Sequence, residues 1–407
     1  MLEQPEFGQR LRALRAERGL SQAALADGVM STGYLSRLES GARPPTHRVV
    51  ENLARRLGVS VSAFESPDDG VGTPRHSAFA ELLAAVVAAA NDANLAESLA
   101  DALHETPDLD PALRWQALWL LAEIRRGEGR QQEEYVLLKE LVDLSESLAS
   151  PELWSRACTG LSRCARTLGH TAQAREYAQR AHELSEKASQ AARTGALQAL
   201  VAIEAEVGEL AAAQAHAELL CELTENVEGT AHVEALWAAA TVSTRQGDHA
   251  GGRRLLERAL DRLDSHVDLV LWMRLRLAAA SLGLQVSPPP LDEVRARLQE
   301  AATVVSLVGT ELHQQELRTL WVYLAVEEGR LDEAWEMAER VAAEQSLLSF
   351  RDRLKFEAMR VRLQIRRGDR EAGVHRMREL AEEAESARNV ELAAEIWRTL
   401  ATTLTGD

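Results

Sequence analysis

The chain has 407 residues, of which 46% are hydrophobic and 4% aromatic, with a formal net charge of −17. That length exceeds one compact core, so several domains or a repeat array are expected, and apolar content dominated by Ala and Leu predicts an all-α fold. The longest apolar stretch, residues 82–90, falls short of the ~20 that span a bilayer, and there is no signal-peptide pattern, which excludes a membrane protein and predicts a soluble, cytoplasmic one.

Charge is spread unevenly. Residues 1–66 hold nine Arg against seven Asp or Glu, a net of +2, so the remainder carries −19. This suits a small module that touches phosphate joined to a large solvated body that does not bind nucleic acid along its length. Cys158, Cys164 and Cys221 lack the spacing of a zinc knuckle or a redox pair and read as reduced, buried thiols.

In chain order, Leu11 and Leu14 predict a helix over 7–18, stopped by Gly19. Ser21 is a suitable N-cap for a short helix over 22–28, with Leu25 and Ala26 turned inward. Ser31 caps a third, Thr32–Glu39, which buries Leu35 and Leu38 and leaves Thr32, Gly33, Ser36 and Arg37 on the opposite face. A fourth helix follows the turn over 40–46, with Val49, Val50, Leu53, Ala54 and Leu57 apolar, and residues 58–64 close the core. Five short helices in about 60 residues are expected.

The pattern Leu20-Ser21-Gln22 with Leu25-Ala26, then Tyr34-Leu35-Ser36-Arg37-Leu38-Glu39-Ser40-Gly41, then Leu53-Ala54 and Leu57-Gly58-Val59, resembles the phage-repressor and XRE family of helix-turn-helix domains. The resemblance implies a five-helix lambda-repressor-like domain that binds double-stranded DNA. It also implies that Gln22 contacts a phosphate, that Arg15 pairs with Glu39, and that Thr32, Gly33, Ser36 and Arg37 face the major groove. With Ser31 and Arg43 added, the residues expected at DNA are Gln22, Ser31, Thr32, Gly33, Ser36, Arg37 and Arg43. One departure is that the stretch from Leu25 to Glu39 is one residue shorter than the usual repressor spacing, its turn reading Asp27-Gly28-Val29-Met30-Ser31. This form is similar to the Rgg and PlcR type of peptide-responsive regulators, the RRNPP family, in which quorum sensing through a signalling peptide is implied.

Residues 67–75, rich in turn formers, are expected to link this domain, 1–66, to a second one over 76–407. An Ala-rich helical pair, broken near Asn91-Asp92, should open the second domain. Beyond Pro111 the chain repeats itself: Gly169, Gly208 and Gly247, and again Gly329 and Gly368, each precede a small residue by five positions at a period of about 39, and Gly129 begins a degenerate copy. Pro289 stands where Gly329 does, filling the gap. The spacing predicts about seven stacked helix pairs, closed by a capping helix over 390–404. It resembles the second helix of the tetratricopeptide repeat, with a longer period than the usual ~34 residues.

Such arrays line a concave groove with their first helices. Counting back from each Gly gives Arg163, Arg166, Gln198, Glu234, Trp237, Thr241, Arg245, Glu316, Tyr323, Arg362 and Arg366 as groove-facing candidates for a peptide or other small ligand. The Arg residues could hold carboxylates bidentately, while the same charges would also simply solvate a wide concave surface. Within the repeats only Asn226 and Asn389 supply Asn, at helix ends, whereas peptide-binding members of the resembled family clamp ligand backbone with Asn on inner helices.

No phosphate loop, dinucleotide fingerprint, His-Glu-x-x-His or nucleophile elbow occurs, and the eleven His lack ligand spacing, so neither enzyme chemistry, nor a metal, nor a cofactor is expected. The expectation is a homodimeric, ligand-responsive, sequence-specific DNA-binding regulator of transcription. The alternative is a protein-interaction scaffold carrying a helix-turn-helix module.

Overall fold

The computed structural model describes residue 4 and residues 6–59, 61–64, 74–88 and 93–405. The chain divides into two compact units, 1–81 and 82–407. Among the described residues there are twenty-one α-helices, one 3-10 helix and no strand.

The first unit begins with α1 (Glu6–Glu17), α2 (Gln22–Ala26), α3 (Thr32–Glu39) and α4 (His47–Leu57), followed by a 3-10 turn at Val61–Phe64. Leu11, Leu25, Leu35, Leu38 and Leu53 are fully buried together with Phe7, whose ring meets Phe64 at 5.4 Å between centroids. Each helix boundary has a local cause. Ser21 and Ser31 sit in extended backbone and accept the amides of Ala24 and Tyr34, and Gly58 ends α4 in the left-handed region. Of the expected linker, only Pro74 and Arg75 are described, and both belong to α5 (Pro74–Ala88); residues 67–73, and the Asn91-Asp92 break, lie outside the described residues.

After α5 and α6 (Ala93–Glu105), the second unit consists of seven helix pairs. These are α7 (Pro111–Gly127) with α8 (Gln131–Ser147), α9 (Pro151–Thr167) with α10 (Thr171–Ser185), α11 (Gln190–Val207) with α12 (Leu210–Thr224), and α13 (Ala231–Arg245) with α14 (His249–Arg262). Then come α15 (Leu269–Gly283) with α16 (Leu291–Val308), α17 (Glu311–Glu327) with α18 (Leu331–Ala342), and α19 (Phe350–Arg366) with α20 (Arg370–Ser386), followed by α21 (Val390–Thr405). Asp110-Pro111 and Ser150-Pro151 start helices by capping with an oxygen and then supplying a residue that has no amide to satisfy.

The repeat markers have a backbone reason. Gly129, Gly169, Gly208, Gly247, Gly329 and Gly368 all adopt left-handed φ, from +71° to +104°, which an L side chain rarely tolerates. Five residues on, Ala174, Ala213 and Ala334 are fully buried where the second helix of a pair approaches the first. First helices of successive pairs stack on one another, α9 on α11 on α13 on α15 on α17, as solenoid packing requires. The array also returns on itself, because α19 reaches α9 and α21 reaches α11. Two marker glycines take part: a Cβ on Gly129 would lie 2.9 Å from Leu347, and one on Gly169 would lie 2.6 Å from Phe350 Cδ2.

Candidate nucleic-acid interface and the inner face of the repeats

In the first unit, α3 is divided as a reading helix must be. Leu35 and Leu38 are fully buried, whereas Thr32, Gly33, Ser36 and Arg37 are exposed, as are Ser31 and Arg43 beside them. The buried face is fixed to α1 and α2 by one polar network. Arg15 Nε donates to Glu39 Oε1 at 2.6 Å, its Nη2 donates to Oε2 at 3.1 Å, and Gln22 Nε2 donates to the same Oε2 at 2.7 Å. Burial pushes the Glu39 carboxyl up, but these donors outweigh it and hold the group below the ordinary carboxylate range. Among the described residues the side-chain hydrogen bond that Gln22 makes is this one to Glu39, which leaves one amide hydrogen and its oxygen for a further partner.

On the exposed face, Arg37 Nε donates to Gly33 O at 3.1 Å, folding the guanidinium along its own helix, and Arg43 lies over the Tyr34 ring at 5.1 Å. Gly8 was not among the residues singled out from sequence. A Cβ there would collide with the carbonyl oxygens of Leu38 and Glu39, the second at 2.8 Å, so α1 and the end of α3 approach too closely for any side chain. Gln4 seals that junction, donating to Leu38 O at 3.1 Å and to Arg43 O at 2.7 Å.

In the second unit, the groove candidates fall into separate groups. Arg163 Nη2 donates to Gln198 Oε1 at 3.1 Å, and Gln198 Nε2 to Glu234 Oε2 at 3.0 Å, a relay across α9, α11 and α13. Trp237 lies beneath Arg274, 5.3 Å from guanidinium to ring centroid, and Thr241 is spent on the Trp237 carbonyl at 3.0 Å. Glu316 is pushed up to about 7 by burial and the Asp352 carboxylate, with Arg274 opposing, and burial raises Tyr323 as well. Arg362 keeps a buried Nε with no hydrogen-bond partner among the described residues, and Arg366 is exposed.

Arg166 and Arg245 belong to a third group, whose other members the sequence reading did not identify. Arg166 Nη1 sits 3.3 Å from Glu206 Oε2, and Arg245 Nη1 donates to Ala205 O at 2.7 Å and to Glu391 at 3.2 Å. Asn389 Nδ2 donates to Glu206 Oε1 at 3.0 Å, while Arg351 bridges Asn389 at 3.5 Å and Glu395 at 3.2 Å. Burial pushes Glu395 up, but Lys355 at 2.8 Å and Arg351 hold it below the ordinary range. Arg245 is pushed down to about 10 by burial and the Arg351 charge, against Glu391 and Glu206.

Cys158 and Cys164 are buried and Cys221 half-buried, all as free thiols. No cluster of three metal-ligating side chains occurs among the described residues, and none of their helices is long and apolar enough to cross a membrane.

This geometry defines the first unit as a helix-turn-helix domain, and residues 6–65 match the family described as helix-turn-helix domain. Over 63 residues the chain is 46% identical to the HTH-type transcriptional regulator PrpR of Mycobacterium tuberculosis, and 44% identical to the regulator RamB of the same organism. Each match spans 15% of this chain and 13% of the relative's length. Among solved structures, a Rap protein complexed with Competence and Sporulation Factor has a TM-score of 0.53 at 12% identity, covering 98% of this chain and 96% of that one. PlcR of Bacillus thuringiensis, in complex with the peptide PapR7 and DNA, has a TM-score of 0.41 at 14% identity, covering 77% and 98%. The Rap match shows the fold of the helical-repeat body.

Proposed function

We propose that the protein is a sequence-specific DNA-binding regulator of transcription, in which residues 1–66 read DNA and the body over 76–407 binds a signal that alters the reading. The observation carrying this is the division of α3: its inner face is held by Leu35, Leu38 and the Arg15–Glu39–Gln22 network, and its outer face offers Thr32, Gly33, Ser36 and Arg37 to solvent. A helix held in this way can enter the major groove as a rigid body, with Arg37 able to reach a guanine edge bidentately. Gln22, Ser31 and Arg43 flank it as backbone contacts that set register.

One reading helix contacts few bases, so the working form is a homodimer on a palindromic site. The signal, with a peptide favoured, lies along the inner helices, where the relay from Arg163 through Gln198 to Glu234 and the Trp237–Arg274 stack offer alternating charge and an aromatic face. Its action is a difference in affinity between dimer states of different DNA affinity. The cytoplasm is the compartment this role requires.

DNA selection with the full-length protein at one stated salt concentration, repeated with Arg37→Ala, tests the reading. A palindromic motif that relaxes at one position per half-site in the variant, with a loss of roughly 1–3 kcal/mol there, is the expected result. A folded, dimeric protein that enriches no motif, with or without cell-derived peptides, would favour the scaffold instead.

A further inference from the structure

Six of the seven helix pairs turn within two or three residues; α15 and α16 are joined by seven, residues 284–290. This segment folds over the neighbouring pair, and Val286, Pro288 and Pro290 wall a cavity of about 400 Å³. Leu256, Leu260, Leu282 and Val294 also line it, and Ala279 and Gly283 leave it room. Its walls come from the C-terminal ends of α13 and α15, most of the length of α14 and the first turns of α16, and the groove candidates Trp237, Thr241 and Arg245 are not among them.

The volume lies in the ~300–1,000 Å³ range of small-molecule sites and admits no folded partner. An apolar lining disfavours sugars and nucleotides, whose hydroxyls would be buried without partners. The charged groups Arg253, Glu257, Glu293 and Arg297 are at the edge. Of the other polar lining residues, Thr244 is buried with its hydroxyl donating to Ala240 O at 2.9 Å, and His249 Nδ1 is buried with no hydrogen-bond partner among the described residues. Arg253 bridges Glu257 at 2.8 Å and Glu293 at 2.9 Å, and Arg297 meets Glu300 at 3.1 Å. With the Arg253 side chain 55% exposed and both its partners more than half exposed, these are surface pairs of little net worth, readily exchanged for another carboxylate.

We propose that this cavity binds a small molecule with an aliphatic or aromatic body and one carboxylate, the body against Leu256 and Leu282 and the head between Arg253 and Arg297. This inference does not rest on DNA reading, and its test reads ligand binding alone.

The test is calorimetric titration of the full-length protein with decanoate and with 1-decanol, both below their aggregation limits. Decanoate is expected to bind one per chain and more tightly than 1-decanol. The double variant Arg253→Gln, Arg297→Gln should weaken decanoate by roughly tenfold, the loss of a charge-assisted contact, and leave 1-decanol unchanged. Ala279→Phe, which fills the cavity, should abolish both; the double variant, made at the cavity edge, keeps the test decisive if Ala279→Phe fails to fold. No decanoate binding, equal affinity for the alcohol, or binding unmoved by the double variant overturns the proposal.

Discussion

Asn389 donates to Glu206 across 183 residues of sequence, tying the residue that precedes α21 to α11, the first helix of the third pair. Both side chains are buried, Asn389 completely and Glu206 to 1% exposure, and Arg166, Arg245, Arg351 and Glu391 complete the network around them. In such a buried network, removing one member leaves the others unpaired, and that penalty exceeds the value of the lost bond. Asn389→Ala should therefore cost about 1–3 kcal/mol and loosen the return of the array on itself. Asn389→Asp, which sets a second carboxylate beside Glu206, should cost more. Thermal unfolding followed by tryptophan fluorescence measures the cost, since all eight Trp lie between Trp115 and Trp397. Small-angle scattering should show a larger radius of gyration for the Ala variant, and an unchanged radius with unchanged stability would remove the tie.

That contact also shows where sequence reading stopped. Six of the seven pairs are legible because left-handed turns demand Gly and close helix approaches demand small residues, two constraints that act within about ten residues, and the remaining pair, α15 with α16, only through Pro289 standing in the place of the Gly. The cap Ser31 and the inner face of α3 were legible for the same local reason. The return of the array depends on the sum of small rotations over seven repeats, which no local pattern encodes, so Asn389 reads only as a helix-end residue and nothing in the sequence singles out Arg351, Glu391 or Glu395. Gly8 was likewise missed, because the reason for it is a carbonyl 31 residues away, at Glu39.

Gly33 separates stability from DNA reading. It lies in the first turn of α3, and a Cβ there would meet nothing within 4 Å. Glycine in a helix is costly, so Gly33→Ala should stabilise the first unit by roughly 0.5–1 kcal/mol. If the open space is where DNA backbone or a base edge fits, the same variant should bind its selected site more weakly. Hydrogen exchange of peptides from residues 6–57, read beside binding isotherms, resolves both effects; a more stable variant with unchanged affinity would take Gly33 out of the interface.

Glu39 gives the first unit an acid dependence of known sign. Its folded pKa lies below the unfolded value, because Arg15 and Gln22 outweigh the effect of burial. Its contribution is therefore complete above the unfolded pKa of ~4.3 and is lost as pH falls through the lower, folded one. Glu39→Gln should cost about 1.5–3 kcal/mol at neutral pH, the value of hydrogen bonds to a charged group, and should flatten the acid limb of stability against pH. The first 110 residues contain no Trp, so peptide-resolved hydrogen exchange is the suitable readout. Equal acid limbs in the two proteins would show that this network does not govern the transition.

Glu134 on α8 has the opposite sign. It is 6% exposed, and burial pushes its carboxyl up to about 7, with Arg126 and the Cys164 thiol pulling the other way. A carboxyl raised in the folded state holds its proton there more tightly than in the unfolded chain. Stability from this group is thus full below the unfolded pKa of ~4.3 and declines as pH rises through about 7. Glu134→Gln, which mimics the protonated form, should leave the protein unchanged near pH 4 and stabilise it near pH 8, flattening the decline between them. Urea unfolding monitored by tryptophan fluorescence at those two pH values checks this, because Trp115, Trp119 and Trp154 lie on the neighbouring helices α7 and α9. A variant destabilised equally at both values would mean that the carboxylate is ionised and partnered where it sits.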